Sequence, residues 1–390
     1  MSNFLHEHKD FADLIKILAE EKGIEPGLVE KDYWIMHVLY GLKQQAFNFE
    51  LKGGTSLSKG YKIIHRFSED IDIHIKPPEK FGINENPKNT NKNNAEKRKT
   101  FYDWLATEIK ITGIIKIARD VEFDDTENYR SGGIRLFYNN IFDQVEGAKE
   151  GILLEAGFDD ITPNSAISIS SWAYDKAIVS KVNIADNRAT DIICYHPGYT
   201  LVEKLQTIAT KFRNEQTKGT TGVNYMRQYY DVYCLLGNEE VVKFIGTPEY
   251  LKHKEKRFPK VDFEIPIKEN EAFILSSKEI RNAYESRYKK TAALYYQGQP
   301  TFEELISSKR FKDVVDKVKR YTGLTNIPQG MNGLQQLMMM MAQAVQTVKS
   351  IENENKEYLE NLAVDLVKKE MSLPENAFQF DVELTSGMGQ

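Results

Sequence analysis

Two aspartates two residues apart, Asp70 and Asp72 in the run Asp70-Ile71-Asp72-Ile73-His74-Ile75, offer the clearest chemistry in this chain. On a strand, residues i and i+2 share a face, so both carboxylates can serve one cation while Ile71, Ile73 and Ile75 turn to a core. Hard divalent ions prefer carboxylate oxygens and leave positions open for phosphates. Acidic alternation also occurs on plain solvated strand faces, so the pair needs company. Gly53 and Gly54, just upstream, permit a tight turn that offers backbone N–H groups to an anion. Thr55 and Ser56 then begin a short helix whose N-terminus favours phosphate. Lys59 lies one turn on, as a further phosphate contact or as a solvated helix residue. The spacing is not that of a Walker A loop.

Phosphoryl transfer between two metals calls for a third carboxylate, which can bridge them or help to deprotonate the nucleophile. Glu155, a lone acid in Gly151-Ile152-Leu153-Leu154-Glu155-Ala156, is the candidate. A charge among apolar neighbours is costly without an ion or a partner; the alternative is a strand-edge glutamate facing solvent. Asp159 and Asp160 are reserves, or loop acids. Downstream, Thr200 and Glu203 fit a capping box after Pro197-Gly198, which would set Lys204 in the first turn of a helix and suit it to a nucleotide phosphate. Asp231 lies among Tyr229, Tyr230, Tyr233, Leu235 and Leu236, where a carboxylate needs a partner. Lys204 and Arg227 are the two options.

The elements that must position these groups follow from periodicity. Helices are expected from about Phe11 to Leu42, with Pro26 starting the second. A strand near Phe47 to Leu51, the glycine turn, a helix from about Ser56 to Ile64 and the Asp70–Ile75 strand come next. Further strands are expected at Gly133 to Tyr138, Gly151 to Phe158 and Ser165 to Ile169, and a predominantly helical stretch from Thr200 to about Ile327. The expected organisation is N-terminal helices (1–45), an α/β part (46–199), a helical part (200–327) and a Met-rich extension (328–390). In the extension, Leu334, Leu337, Met338, Met341, Val345 and Val348 form one apolar stripe and Tyr358, Leu359, Leu362 and Leu366 another. Such stripes are core filler, or a helix pair that binds a partner or self-associates.

With 390 residues, 41% hydrophobic and 28% charged, the chain has the make-up of an ordinary globular protein. Its net charge of -5 argues against a protein that coats nucleic acid, although a local basic groove is compatible with it. Lys88, Lys92, Lys97, Arg98 and Lys99 lie in an Asn-rich segment that reads as a solvated loop entering a helix near Phe101 to Ile109, or as phosphate contacts. Cys194 and Cys234 lack zinc-site spacing and read as buried thiols. No run is long enough to span a membrane and the N-terminus lacks a signal peptide's apolar core, so a cytoplasmic location is expected.

The segment Leu51–Ile75 resembles the AbiEii/AbiGii toxin family of nucleotidyltransferases, distant members of the polymerase-β-like superfamily. Val29-Glu30-Lys31-Asp32-Tyr33-Trp34 looks like the family's N-terminal helix signature. Leu201-Val202-Glu203-Lys204-Leu205 and Arg227-Gln228-Tyr229-Tyr230-Asp231-Val232-Tyr233 look like its third and fourth motifs. The stretch around Tyr288 and the run from Pro300 to Leu305 are similar to its tail, so the resemblance covers roughly residues 5 to 326. It implies an α+β fold, a polymerase-β-like domain with a mixed sheet followed by a helical bundle. It also implies transfer of a nucleotide from a nucleoside triphosphate, with Mg2+ or Mn2+, to an acceptor such as the tRNA 3′ end, within a toxin–antitoxin or phage abortive-infection system that supplies a cognate antitoxin. By the same resemblance Gly53, Gly54, Thr55, Ser56, Lys59 and Lys204 bind the nucleotide. Asp70, Asp72 and Glu155 hold metal, and Lys204 and Asp231 support catalysis. The same core could instead modify a protein or a small molecule, or act as a nucleotide-binding module without turnover.

Overall fold

A computed structural model describes residues 3–145, 148–158, 163–219, 224–265 and 267–307. Asp159, Asp160 and the Met-rich extension lie outside the described residues. Two helices precede the sheet. Helix α1 (Phe11–Lys22) stops at Gly23, whose left-handed conformation suits glycine. Helix α2 (Pro26–Gln44) starts with proline in its first turn and is buried along most of its length, including three consecutive charged residues. Each of the three has a partner, as burial requires. Glu30 accepts the N–H groups of Ile141 and Phe142, Lys31 meets Glu69, and Asp32 takes Lys59 and the N–H of Trp172.

Seven strands form one mixed sheet in the order β3-β4-β5-β2-β1-β7-β6. They are β1 (Phe49–Lys52), β2 (Asp70–Ile75), β3 (Ile114–Asp120), β4 (Ser131–Tyr138), β5 (Ile152–Gly157), β6 (Asn164–Ile169) and β7 (Ala189–Tyr195). The central pairings set the site: β2 runs antiparallel to β1 and parallel to β5, and β1 runs parallel to β7. Strand β2 alternates as its sequence demands, with Ile71, Ile73 and Ile75 buried and Asp70, Asp72 and His74 on the more open face. Between β1 and β2 the chain makes one helical turn, α3 (Gly53–Thr55), then a π-helical turn over Ser56–Gly60, so helix begins at Gly53 rather than Ser56.

Helix α4 (Lys92–Glu108) also begins earlier than expected, because Asn91 caps it by accepting the N–H of Asn93. Arg98 on this helix is fully buried and donates to the carbonyls of Asn84, Asn86, Asn89 and Asn128. It pins the Asn-rich segment and is unavailable to phosphate. After α5 (Trp172–Val179) and β7, helix α6 (Pro197–Lys218) is capped by His196, whose Nδ1 accepts the Gly198 N–H. Thr200 is therefore inside the helix, its hydroxyl donating to the His196 carbonyl, and the expected capping box does not form. Helix α7 (Arg227–Leu235) and the helices that follow it up to Phe302–Ser307 pack with α6 around a second apolar cluster. Leu57 and Ile64, from the chain between β1 and β2, join that cluster. Among the described residues no helix is long and apolar enough to cross a membrane.

Candidate active site

Pairing register lays the charged groups side by side. Asp72 on β2 is opposite Lys52 on β1 and level with Glu155 on β5. Neighbouring strands stand about 4.8 Å apart and in-register residues share a face, so Lys52, Asp72 and Glu155 form a row, with Asp70 two residues along β2. The carboxylates press on one another. Burial pushes the Glu155 carboxyl up, Asp72 and Asp70 push it further, and with Lys149 and Lys52 pulling back it stands at about 7. Burial and then Asp70 likewise raise the Asp72 carboxyl, against the pull of Lys52, Lys204 and Lys149. Asp70 Oδ2 accepts from Lys149 Nζ at 2.8 Å, while its Oδ1 is buried without a hydrogen-bond partner among the described residues.

The glycine turn is packed onto this row. Gly53 has φ 71°, and a Cβ there would lie 2.1 Å from Asp72 Oδ2; one on Gly54 would lie 2.4 Å from Ser68 Oγ. Only glycine lets the backbone come so close to the carboxylate. The side chains that follow are buried or paired. The buried Thr55 hydroxyl donates to the Asp70 carbonyl, Lys59 forms an ion pair with Asp32, and Ser56 is buried with its Oγ without a hydrogen-bond partner among the described residues. The local sequence pattern suggests phosphate contacts for these three; in the structure Thr55 and Lys59 hold the Asp70 carbonyl and Asp32.

From the helical side, Lys204 Nζ stands 2.7 Å from Asp231 Oδ2 and 2.8 Å from Gln228 Oε1. Asp231 is completely buried, which raises its carboxyl; Arg66 and Lys204 outweigh that and hold it at about 2. Arg66 was not singled out from sequence, although it sits four residues before Asp70 inside the same segment. Its guanidinium supplies two bonds to Asp231, so the carboxylate is gripped by Arg66 and Lys204 together. Arg227, the other partner proposed for Asp231, feels the attraction of Glu69, Asp231 and Asp70, but burial and Arg66 still lower its proton affinity.

Residues 37–317 match the family model described as the nucleotidyl transferase AbiEii toxin of a type IV toxin–antitoxin system. The chain belongs to this family. No curated protein and no solved structure matches it. The matched AbiEii span contains the glycine turn, Asp70, Asp72, Glu155, Lys204 and Asp231, and excludes Glu30, Lys31 and Asp32 of α2. Membership makes the chain a nucleotidyltransferase toxin and implies a nucleoside triphosphate substrate and an antitoxin partner.

The donor set suits a hard cation. It consists of carboxylates alone, and two of them bind protons more readily than usual, through burial first and the neighbouring carboxylates second. The unpartnered buried Oδ1 of Asp70 adds a lone pair. Their side chains do not yet converge, since among the described residues no three His, Cys, Asp or Glu stand around a common point at metal-ligand distances.

Proposed function

We propose that this chain transfers a nucleotide from a nucleoside triphosphate to the 3′ end of tRNA, with Mg2+, or Mn2+ in its place, held by Asp70, Asp72 and Glu155. The observation that carries this reading is the register match of Asp72 and Glu155 beside Asp70, with the Gly53 backbone against the Asp72 carboxylate. Bound divalent cations would neutralise the phosphates and lower the pKa of the attacking hydroxyl. In the proposed reaction the acceptor 3′ oxygen bonds to the α-phosphorus as the bond to the bridging oxygen breaks, releasing pyrophosphate. The hydroxyl proton passes to the Glu155 carboxylate, the third acid of the set. Lys204, oriented by Asp231 and Gln228, presents its ammonium to the phosphates, and the Gly53 and Gly54 N–H groups bind the same chain of charge.

Purified protein incubated with each labelled nucleoside triphosphate, Mg2+ and total tRNA tests the acceptor. Label on tRNA is expected. Label on protein or on small molecules, and never on RNA, would refute the tRNA assignment. Asp70→Asn is expected to abolish both transfer and toxicity; undiminished toxicity would instead identify a binding module that needs no turnover.

A further inference from the structure

Lys149 lies just before β5, and its backbone is clamped on both sides. Its N–H donates to Glu69 Oε2 at 2.8 Å, and its carbonyl accepts from Lys31 Nζ. Lys31 and Glu69 are themselves a buried ion pair, 3.3 Å apart, and Glu69 immediately precedes Asp70. The clamp thus sets the position of Lys149 relative to the aspartate through main-chain atoms alone. The side chain then runs to Asp70 Oδ2 at 2.8 Å, with its ammonium 4.4 Å from the centre of the Phe123 ring. Its charge also bears on Asp72 and Glu155. Unlike its clamp, the Lys149 side chain is 27% exposed. A fixed backbone, a flexible four-carbon stem and an open side together allow the ammonium to move while its root stays in place.

A divalent cation on Asp70 and an ammonium on the same carboxylate oxygen repel each other, so the two compete for one seat. We propose that Lys149 is a displaceable counter-ion. It neutralises Asp70 until a divalent cation takes that oxygen, and the released ammonium then turns to the phosphates of the nucleoside triphosphate. This rests on the metal-binding role proposed for Asp70, Asp72 and Glu155. The device has a physical use: the clustered carboxylates stay partly compensated before metal binds, and the compensating charge is kept beside the substrate afterwards.

Mn2+ binding to the full-length protein, followed by electron paramagnetic resonance, tests this without relying on turnover. In Lys149→Met the clamp persists because it holds only the backbone of residue 149, and the competitor is gone. Mn2+ is expected to bind about fivefold more tightly than to the wild type, the effect of removing a partly exposed ion pair. Lys149→Arg, which keeps the charge, should bind Mn2+ no more tightly than the wild type. With Mn2+ saturating, Lys149→Met should bind the nucleoside triphosphates more weakly, and unchanged nucleotide affinity overturns the phosphate half of the proposal. Equal or weaker Mn2+ binding by Lys149→Met, where the wild type does bind Mn2+, overturns the counter-ion and leaves the metal site standing. Absence of Mn2+ binding in wild type and variants alike overturns the metal site, and the counter-ion with it.

Discussion

Arg66 grips Asp231 with both ends of its fork, Nε and Nη2 each standing 2.7 Å from a different carboxylate oxygen. The two are 165 residues apart in sequence and both are buried. Arg66 belongs to the chain between the glycine turn and β2, Asp231 to α7, and Lys204 of α6 reaches the same carboxylate. The helical region is thereby tied to the candidate site by charge as well as by apolar packing. Bidentate geometry makes the pair specific, and Lys in place of Arg could not reproduce it.

Breaking that grip leaves a buried charge short of its partner. Arg66→Met is expected to destabilise the protein by about 3–5 kcal/mol, the usual cost of orphaning one half of a buried ion pair. Urea unfolding of wild type and variant measures it. A loss below about 1 kcal/mol would mean that Lys204 alone satisfies Asp231.

The same carboxylate gives an acid-stability signature. Burial raises it, but Arg66 and Lys204 together lower it from 3.8 to about 2, below its unfolded value. The folded state therefore gains stability that is fully present above the unfolded pKa and is lost as pH falls through the folded one. The whole gain is about 2 kcal/mol, and roughly half should have gone by pH 3. Asp231→Asn, less stable near neutrality, should lose less between about pH 5 and pH 3 than the wild type does. Parallel loss in the two proteins would remove Asp231 as the source.

Gly53 and Gly219 separate backbone strain from steric conflict. Both have positive φ, 71° and 64°, but a Cβ on Gly53 meets Asp72 Oδ2 at 2.1 Å whereas one on Gly219 meets nothing within 4 Å among the described residues. Gly219→Ala should cost about 1 kcal/mol and leave transfer unchanged. Gly53→Ala must push the Asp72 carboxylate aside and is expected to cut transfer by about 100-fold or more, since a displacement of about 1 Å at the reacting groups is enough. Melting temperatures and transfer rates on the same preparations check both. Equal activities would show that the turn does not position Asp72.

The groups that sequence revealed and those it hid differ by the distance to their partners. The Asp70–Ile75 strand was legible because alternation is a local property, and the strand that carries Glu155 because its apolar run is local as well. The neighbours of Thr55 and Lys59 suggest phosphate contacts, while their pairing with the Asp70 carbonyl and Asp32 is not visible in the local sequence. Arg66 and Lys149 were missed for the same reason, since their carboxylates come from other parts of the chain. Strands β3 and β7 were not anticipated either: β3 carries Lys116 and Arg119 at an edge of the sheet, and β7 holds Asp191 at φ 53°. Neither shows the clean alternation from which β2 is recognised. Helix α4 was placed too late because asparagines signal loops, while here one of them, Asn91, is a cap.

Glu155 sets stability against function. Its folded-state carboxyl is raised from 4.5 to about 7, by burial first and then by Asp72 and Asp70. For a raised carboxyl the sign is the reverse of that at Asp231: folding is favoured below about 4.5, and stability is lost as pH rises from there to about 7. Glu155→Gln removes the charge and its repulsion. With chelator present at about pH 8, the variant should be more stable than the wild type by on the order of 2 kcal/mol, discounted for partial exposure, and the gap should close below about pH 5. Millimolar Mg2+ should then reverse the order, because binding stabilises only a folded chain that has the full carboxylate set. Thermal unfolding at the two pH values, with and without Mg2+, supplies the four measurements. A variant less stable than the wild type in chelator at pH 8 would mean that a hydrogen bond or cation already compensates Glu155, and that its charge is structural rather than reserved for metal.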